Sequence, residues 1–214
     1  MPKQVDHRER RESIAHALWR IVDQQGWARA TMREVAREAG VSLGQLQHYF
    51  SSRAEMLAFA TEFASEQTSH RVKRGLTSLN QPPHPREVLR VVLTELLPLQ
   101  PDARATSRIN AAYVLEAMHD PALHRQIGVG LRDGRAMVER LIRQAMNHGQ
   151  IPPDRDPMIE TDLILALTGF APLLELNVVE PQAALAAIDQ HLDRLFRPAQ
   201  LSAGAARPRS RRTC

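Results

Sequence analysis

Three helix-start signals stand close together near the N-terminus: Thr31-Met32-Arg33-Glu34, Ser42-Leu43-Gly44-Gln45 and Ser52-Arg53-Ala54-Glu55. Each has the form of a capping box, a hydroxyl residue followed by a Glu or Gln that can reach back, which satisfies the orphan N–H groups of a helix start. Gly26 and Gly40 precede the first two and suit helix C-termini. Between these signals only short helices fit. They read TMREVAREA over 31–39 and LGQLQHY over 43–49. Two helices of about two turns, joined by AGVS, make a helix-turn-helix.

The rest of the chain also reads as helix, so the expected class is all-α. There is no sustained apolar–polar alternation, and only 4% of residues are aromatic. Asp120-Pro121 and Asp156-Pro157 each set an N-cap side chain before a proline at the first helical position, and Pro85 and Pro181 suit that position too. About nine helices are predicted: 8–25, 32–39, 43–49, 53–78, 85–97, 102–118, 121–148, 157–177 and 181–196. Pro172 should kink the eighth or end it early. The expected organisation is a helix-turn-helix unit over 1–52 with a basic arm at 1–11, a helical body over 53–197, and a disordered basic tail over 198–214.

Composition narrows the functional class. With 214 residues, 43% of them hydrophobic, the chain can bury a sizeable core without staples. Its one cysteine, Cys214, makes neither a disulfide framework nor a cysteine metal site. No uncharged apolar run approaches about 18 residues and MPKQVDHRERRES resembles no secretory signal, so a cytoplasmic protein without a membrane partner is expected. The net charge of +4 is concentrated at the two ends, around an acidic middle. A basic edge suits a phosphate-bearing partner, and it equally suits plain solvation.

The helix at 43–49 can be phased at about 100° per residue. Leu46 and Phe50 then share the inner face, Leu43 lies on the flank, and Gly44, Gln45, Gln47 and His48 point outward. Two amides, an imidazole and no charge form a poor solvation face and a good major-groove face. Glutamine pairs with adenine N6/N7, and a bare glycine lets the backbone approach the bases. Leu43, Gly44, Gln45, Gln47 and His48 are therefore the candidate base contacts. Thr31 and Ser42 at helix N-termini, Tyr49 at the end of the recognition helix, and Arg53 are the candidate phosphate contacts. Arg53 opens a helix where its charge opposes the dipole, which points to a task beyond helix stability.

TMREVAREAGVSLGQLQHYFSSRAEML resembles the helix-turn-helix of the TetR (tetracycline-repressor-like) family. The resemblance lies in Thr31, Val35-Ala36, Ala39-Gly40-Val41-Ser42, Gly44, Tyr49-Phe50, a basic residue at 53 and Leu57. Gly44 and the HYF at 48–50 resemble the BetI-like (betaine-regulator) branch in particular, as do EAMHDPAL (116–123) and GQIPPDRDP (149–157). Many members carry an aromatic residue where Gln47 stands, and their usual lysine is Arg53 here. The resemblance implies a ligand-responsive regulator, most often a repressor, which binds a palindromic operator as a homodimer and is released by a small-molecule effector.

Two sets of residues in the body follow. Leu185, Ile188, Leu192 and Leu195 form a heptad stripe, preceded by Leu163, Leu167 and Leu174. The pattern alone fits an intramolecular core; the resemblance implies a dimer interface. Met56, Phe59, Phe63, Tyr113, Met118, Met137 and Phe170 are candidate pocket linings, although the pattern of each fits plain core better. Catalytic motifs such as H-E-x-x-H, G-x-S-x-G or a glycine-rich phosphate loop do not occur, so no catalytic residue, metal or cofactor is expected. A helical protein-interaction module without DNA binding is the alternative. It would account for a bundle, but not for the outward face of 43–49.

Overall fold

The computed structural model describes residues 2–196, which form ten α-helices and two 3-10 turns with no strand among them. The N-terminal head holds α1 (Pro2–Gln25), a 3-10 turn (Trp27–Arg29), α2 (Met32–Glu38) and α3 (Leu43–Tyr49). The body holds α4 (Arg53–Thr77), α5 (Pro85–Leu96), α6 (Pro101–Ala117), α7 (Pro121–Asn147), α8 (Pro157–Ala166), a 3-10 turn (Leu167–Gly169), α9 (Phe170–Glu175) and α10 (Pro181–Leu195). The expected tail, 198–214, lies outside the described residues.

Local chemistry sets these limits. The Asp156 carboxylate accepts the N–H groups of Met158 (2.8 Å) and Ile159 (3.3 Å) while Pro157 occupies N1. His84 Nδ1 accepts Arg86 N–H at 3.2 Å, again ahead of an N1 proline. At Gly40, φ is +67°. Val41 N–H reaches Ala36 C=O and Gly40 N–H reaches Arg37 C=O, the Schellman pattern that turns the chain from α2 towards α3.

The eighth predicted helix is one rod with a break in it. Pro172 has no N–H to give the Thr168 carbonyl, and its ring crowds that carbonyl. The turn just before it tightens to 3-10 over Leu167–Gly169. The predicted basic arm is helical from Pro2, so α1 starts earlier than the expected residue 8. Two arginines of that stretch are engaged with α4. Arg8 pairs with Glu66 at 2.8 Å. The Arg11 guanidinium lies 4.6 Å from the Phe50 ring centroid and 4.4 Å from that of Phe59.

Two apolar cores carry the molecule. The head core joins Ile14, Leu18, Ile21, Val35, Leu46 and Phe50 to Met56, Leu57, Phe63 and Ala64 of α4, and to Ile109 of α6. The break in helices at 52/53 is therefore not a break in packing. The body core joins Leu89 and Leu93 to Val138, Ile142, Ile164, Ile188 and Leu192. A small cluster of Tyr113, Ala117 and Leu123 closes the α6–α7 corner.

Candidate nucleic-acid interface

The α2–α3 pair is set by its caps. Ser42 and Gln45 form a complete capping box: Gln45 N–H donates to Ser42 Oγ at 3.1 Å, and Ser42 N–H donates to Gln45 Oε1 at 3.0 Å. The other two boxes are one-armed. Thr31 Oγ1 accepts Glu34 N–H at 3.2 Å, but the Glu34 carboxylate turns to Arg37 instead. Ser52 Oγ accepts Glu55 N–H at 3.1 Å, while the Glu55 carboxylate reaches past it to the N–H and hydroxyl of Ser51, both at 2.8 Å. Those two bonds, with Arg11 nearby, hold the Glu55 carboxyl below its ordinary pKa.

Leu46 and Phe50 are fully buried, as phased. Gly44, Gln45, Gln47 and His48 are exposed and Leu43 is half-buried on the flank. A Cβ at Gly44 would meet no atom within 4 Å, so nothing inside the chain requires glycine there. Gln45 is only partly available: its amide oxygen serves the cap, which leaves its N–H groups alone to face outward. Bidentate adenine recognition needs both an acceptor and a donor, so on this helix it fits Gln47.

An open groove of about 570 Å³ runs along this face, lined by Arg29, Thr31, Met32, Arg33, Leu43 and Gln47 among others. Arg29 and Arg33 are exposed, with no ion pair among the described residues. The sequence reading did not single them out, although the two arginines flank the Thr31 cap. Thr31 and Ser42 are exposed at their helix starts, as expected. Tyr49 is half-buried, its ring 4.9 Å from that of His7 and 5.5 Å from that of His48.

Arg53, expected as a phosphate contact, has partners within the chain. Its Nε donates to Ala30 C=O at 3.0 Å, its Nη1 lies 3.5 Å from a Glu116 carboxylate oxygen, and its guanidinium sits 5.3 Å from the Trp27 ring centroid. The side chain is spent mainly inside the molecule.

The predicted body residues do not converge. Met56, Phe59 and Phe63 belong to the head core or pack on it. Tyr113 is in the corner cluster, donating to Gln126 at 3.2 Å. Met137 and Phe170 pack on the body core, and Met118 is exposed. Packing has divided them between separate cores, so they do not enclose one pocket. The predicted interface stripe is corrected in a similar way. Leu174, Ile188, Leu192 and Leu195 are buried within the chain, while Leu167 and Leu185 are half-buried. Of those residues only Leu163 is exposed, at 47%. It lies on the rod with exposed Met158, Ile159 and Leu173, and the exposed Leu176 and Val178 follow just after the rod.

A short capped helix pair whose second helix has an uncharged outer face, carried on a larger helical body, defines a helix-turn-helix regulator of transcription. Residues 14–59 match the family described as bacterial regulatory proteins, tetR family, and residues 85–197 match the BetI-type transcriptional repressor C-terminal domain. The chain belongs to the TetR family of transcriptional regulators, with a body of the BetI type.

Similar proteins agree. The HTH-type transcriptional regulator PksA of Bacillus subtilis is 32% identical over 171 residues, covering 78% of each chain. The regulator BetI of Stenotrophomonas maltophilia is 27% identical over 125 residues, 58% of this chain and 63% of that protein. Among solved structures, a transcriptional regulator from Rhodococcus sp. Rha1 superposes with a TM-score of 0.73 at 25% identity, covering 86% of this chain and 95% of that one. A regulator from Saccharomonospora viridis, solved in complex with choline, shares the fold with a TM-score of 0.72 at 19% identity, covering 87% and 94%.

Proposed function

We propose that this chain is a repressor that binds a palindromic operator as a homodimer, acts in the cytoplasm where its DNA lies, and lets go when a small molecule binds the body. One α3 would enter each of two major grooves about 34–36 Å apart. Gln47 would read adenine, Leu43, Gly44, Gln45 and His48 would lie against neighbouring base edges, and Thr31, Ser42 and Tyr49 would hold phosphates. Arg29 and Arg33 join them as phosphate ligands.

The observation that carries the reading is Gly44: exposed, helical, and free of any internal neighbour its Cβ would strike. Glycine is a poor helix residue, so its use there favours close approach by something outside the chain. A protein-interaction face would more commonly present large apolar anchors than a glycine between amides.

The partner in the dimer is a second copy, docked through the exposed apolar side of the rod. By length and composition that rod, Pro157–Glu175, is apolar enough to cross a membrane, with mean hydropathy 1.3. Asp162 on it is ion-paired to Arg135 of α7 at 2.8 Å, and Glu160 to Arg155 at 3.1 Å, which favours packing against protein. A choline-bound neighbour makes small amines a reasonable first class of effector to screen.

The test is enrichment of duplexes from a random library by the purified chain. Two-fold symmetric enriched sites, with affinity falling steeply as salt rises, are expected. Enrichment of no duplex would overturn the reading.

A further inference from the structure

The head and body share apolar packing through α4 and α6, and apolar packing is non-directional. What could fix the angle between them is directional contact. One carboxylate supplies it. Glu116, in the last turn of α6, takes the Trp27 indole N–H on one oxygen at 3.2 Å and faces Arg53 Nη1 with the other at 3.5 Å. Trp27 belongs to the turn between α1 and α2, and Arg53 is the first residue of α4. Arg53 in turn donates to Ala30 C=O at 3.0 Å, immediately before the Thr31 cap of α2. One side chain of the body thus holds both ends of the helix-turn-helix segment.

A second tie lies about two helical turns earlier on α6. Arg108 donates from Nη1 to the Asp23 backbone carbonyl at 3.0 Å and to its carboxylate, near the end of α1. Its Nε and Nη2 donate to Glu175 at 3.0 and 2.7 Å, at the end of α9. Through Arg108, α6 links the head directly to the rod that carries the exposed apolar side.

We propose that Glu116 is a positioning residue for operator binding: it fixes the angle of the head on the body, and thereby the separation between half-sites that the dimer accepts. The inference rests on the DNA-binding reading above. The Glu116 and Arg53 side chains are 41% and 35% exposed, so the pair adds little to stability. Its effect is on geometry. One added base pair turns a half-site by roughly 35° about the duplex axis, and a rigidly held head cannot follow that rotation.

The experiment uses the full chain and a duplex enriched by the wild type. Affinity is measured for that duplex, for versions with one base pair added or removed between the half-sites, and for a single half-site. Glu116→Ala should cut the discrimination between correct and altered spacings at least about threefold, leaving the melting temperature and single-half-site affinity unchanged. Trp27→Phe, which keeps a ring but loses the N–H, should act in the same direction, and Glu116→Gln should fall between Glu116→Ala and the wild type. An unchanged spacing profile in Glu116→Ala and Trp27→Phe overturns the inference. So does an equal loss on every duplex, single half-site included, which would mark a role in folding or contact. A wild type that enriches no duplex removes the DNA-binding reading, and this inference with it.

Discussion

Gln45 gives its amide oxygen to the Ser42 N–H at 3.0 Å and so helps to cap the helix from which it projects. Gln47, one position beyond Leu46, has no such duty and is exposed on the open groove. The two glutamines should therefore separate on mutation. Gln47→Ala should cost about 1–3 kcal/mol on the enriched duplex and flatten preference at one position of each half-site. Gln45→Ala should cost about 0.5–1 kcal/mol of folding stability with base preference largely kept. Binding to a panel of single-position duplex variants, beside urea melts, checks both.

Gly44 offers a sign test. A methyl there meets nothing within 4 Å, and alanine is the better helix former. Gly44→Ala should hold or raise stability by up to about 1 kcal/mol while weakening operator binding. Loss of stability would place the constraint inside the chain and remove the main support for close approach to bases.

The head was legible because its signals are local. Caps, a left-handed glycine and one period of apolar residues settle where α2 and α3 begin, end and face, and Leu46 and Phe50 are buried as their phase requires. The body was legible in its helix limits, which prolines mark, but not in its contacts. A stripe such as Ile188, Leu192 and Leu195 reads the same whether it meets its own chain or another, and only packing decides. The engagement of Arg53 depends on Glu116, which lies far away in sequence; no spacing rule joins them.

The redistribution of that stripe makes the interface testable. Leu163 is exposed on the rod and Ile188 is buried. Leu163→Asp should leave the fold and its helicity intact and give a monomer by sedimentation at micromolar concentration, where the wild type is a dimer. Ile188→Ala should instead lose about 2–5 kcal/mol of folding stability through the cavity it opens. A dimeric Leu163→Asp would move the interface to another face.

His191 supplies a pH prediction. It lies half-buried on α10, with its Nε2 enclosed and without a hydrogen-bond partner among the described residues. Burial pushes the imidazole below its ordinary pKa; Glu160 opposes this, while Arg155 and Arg194 add to it. The folded state therefore holds the ring neutral at pH values where the unfolded chain already takes up a proton. Stability should be unaffected by this group at neutral pH, fall as pH drops below about 6.5, and level off once the folded ring also titrates. The loss is limited because the ring keeps some contact with water. His191→Gln, which cannot titrate, should flatten the change in urea midpoint between about pH 7 and about pH 5.5. Equal changes in wild type and variant would mean that the folded ring accepts its proton as readily as the unfolded one does.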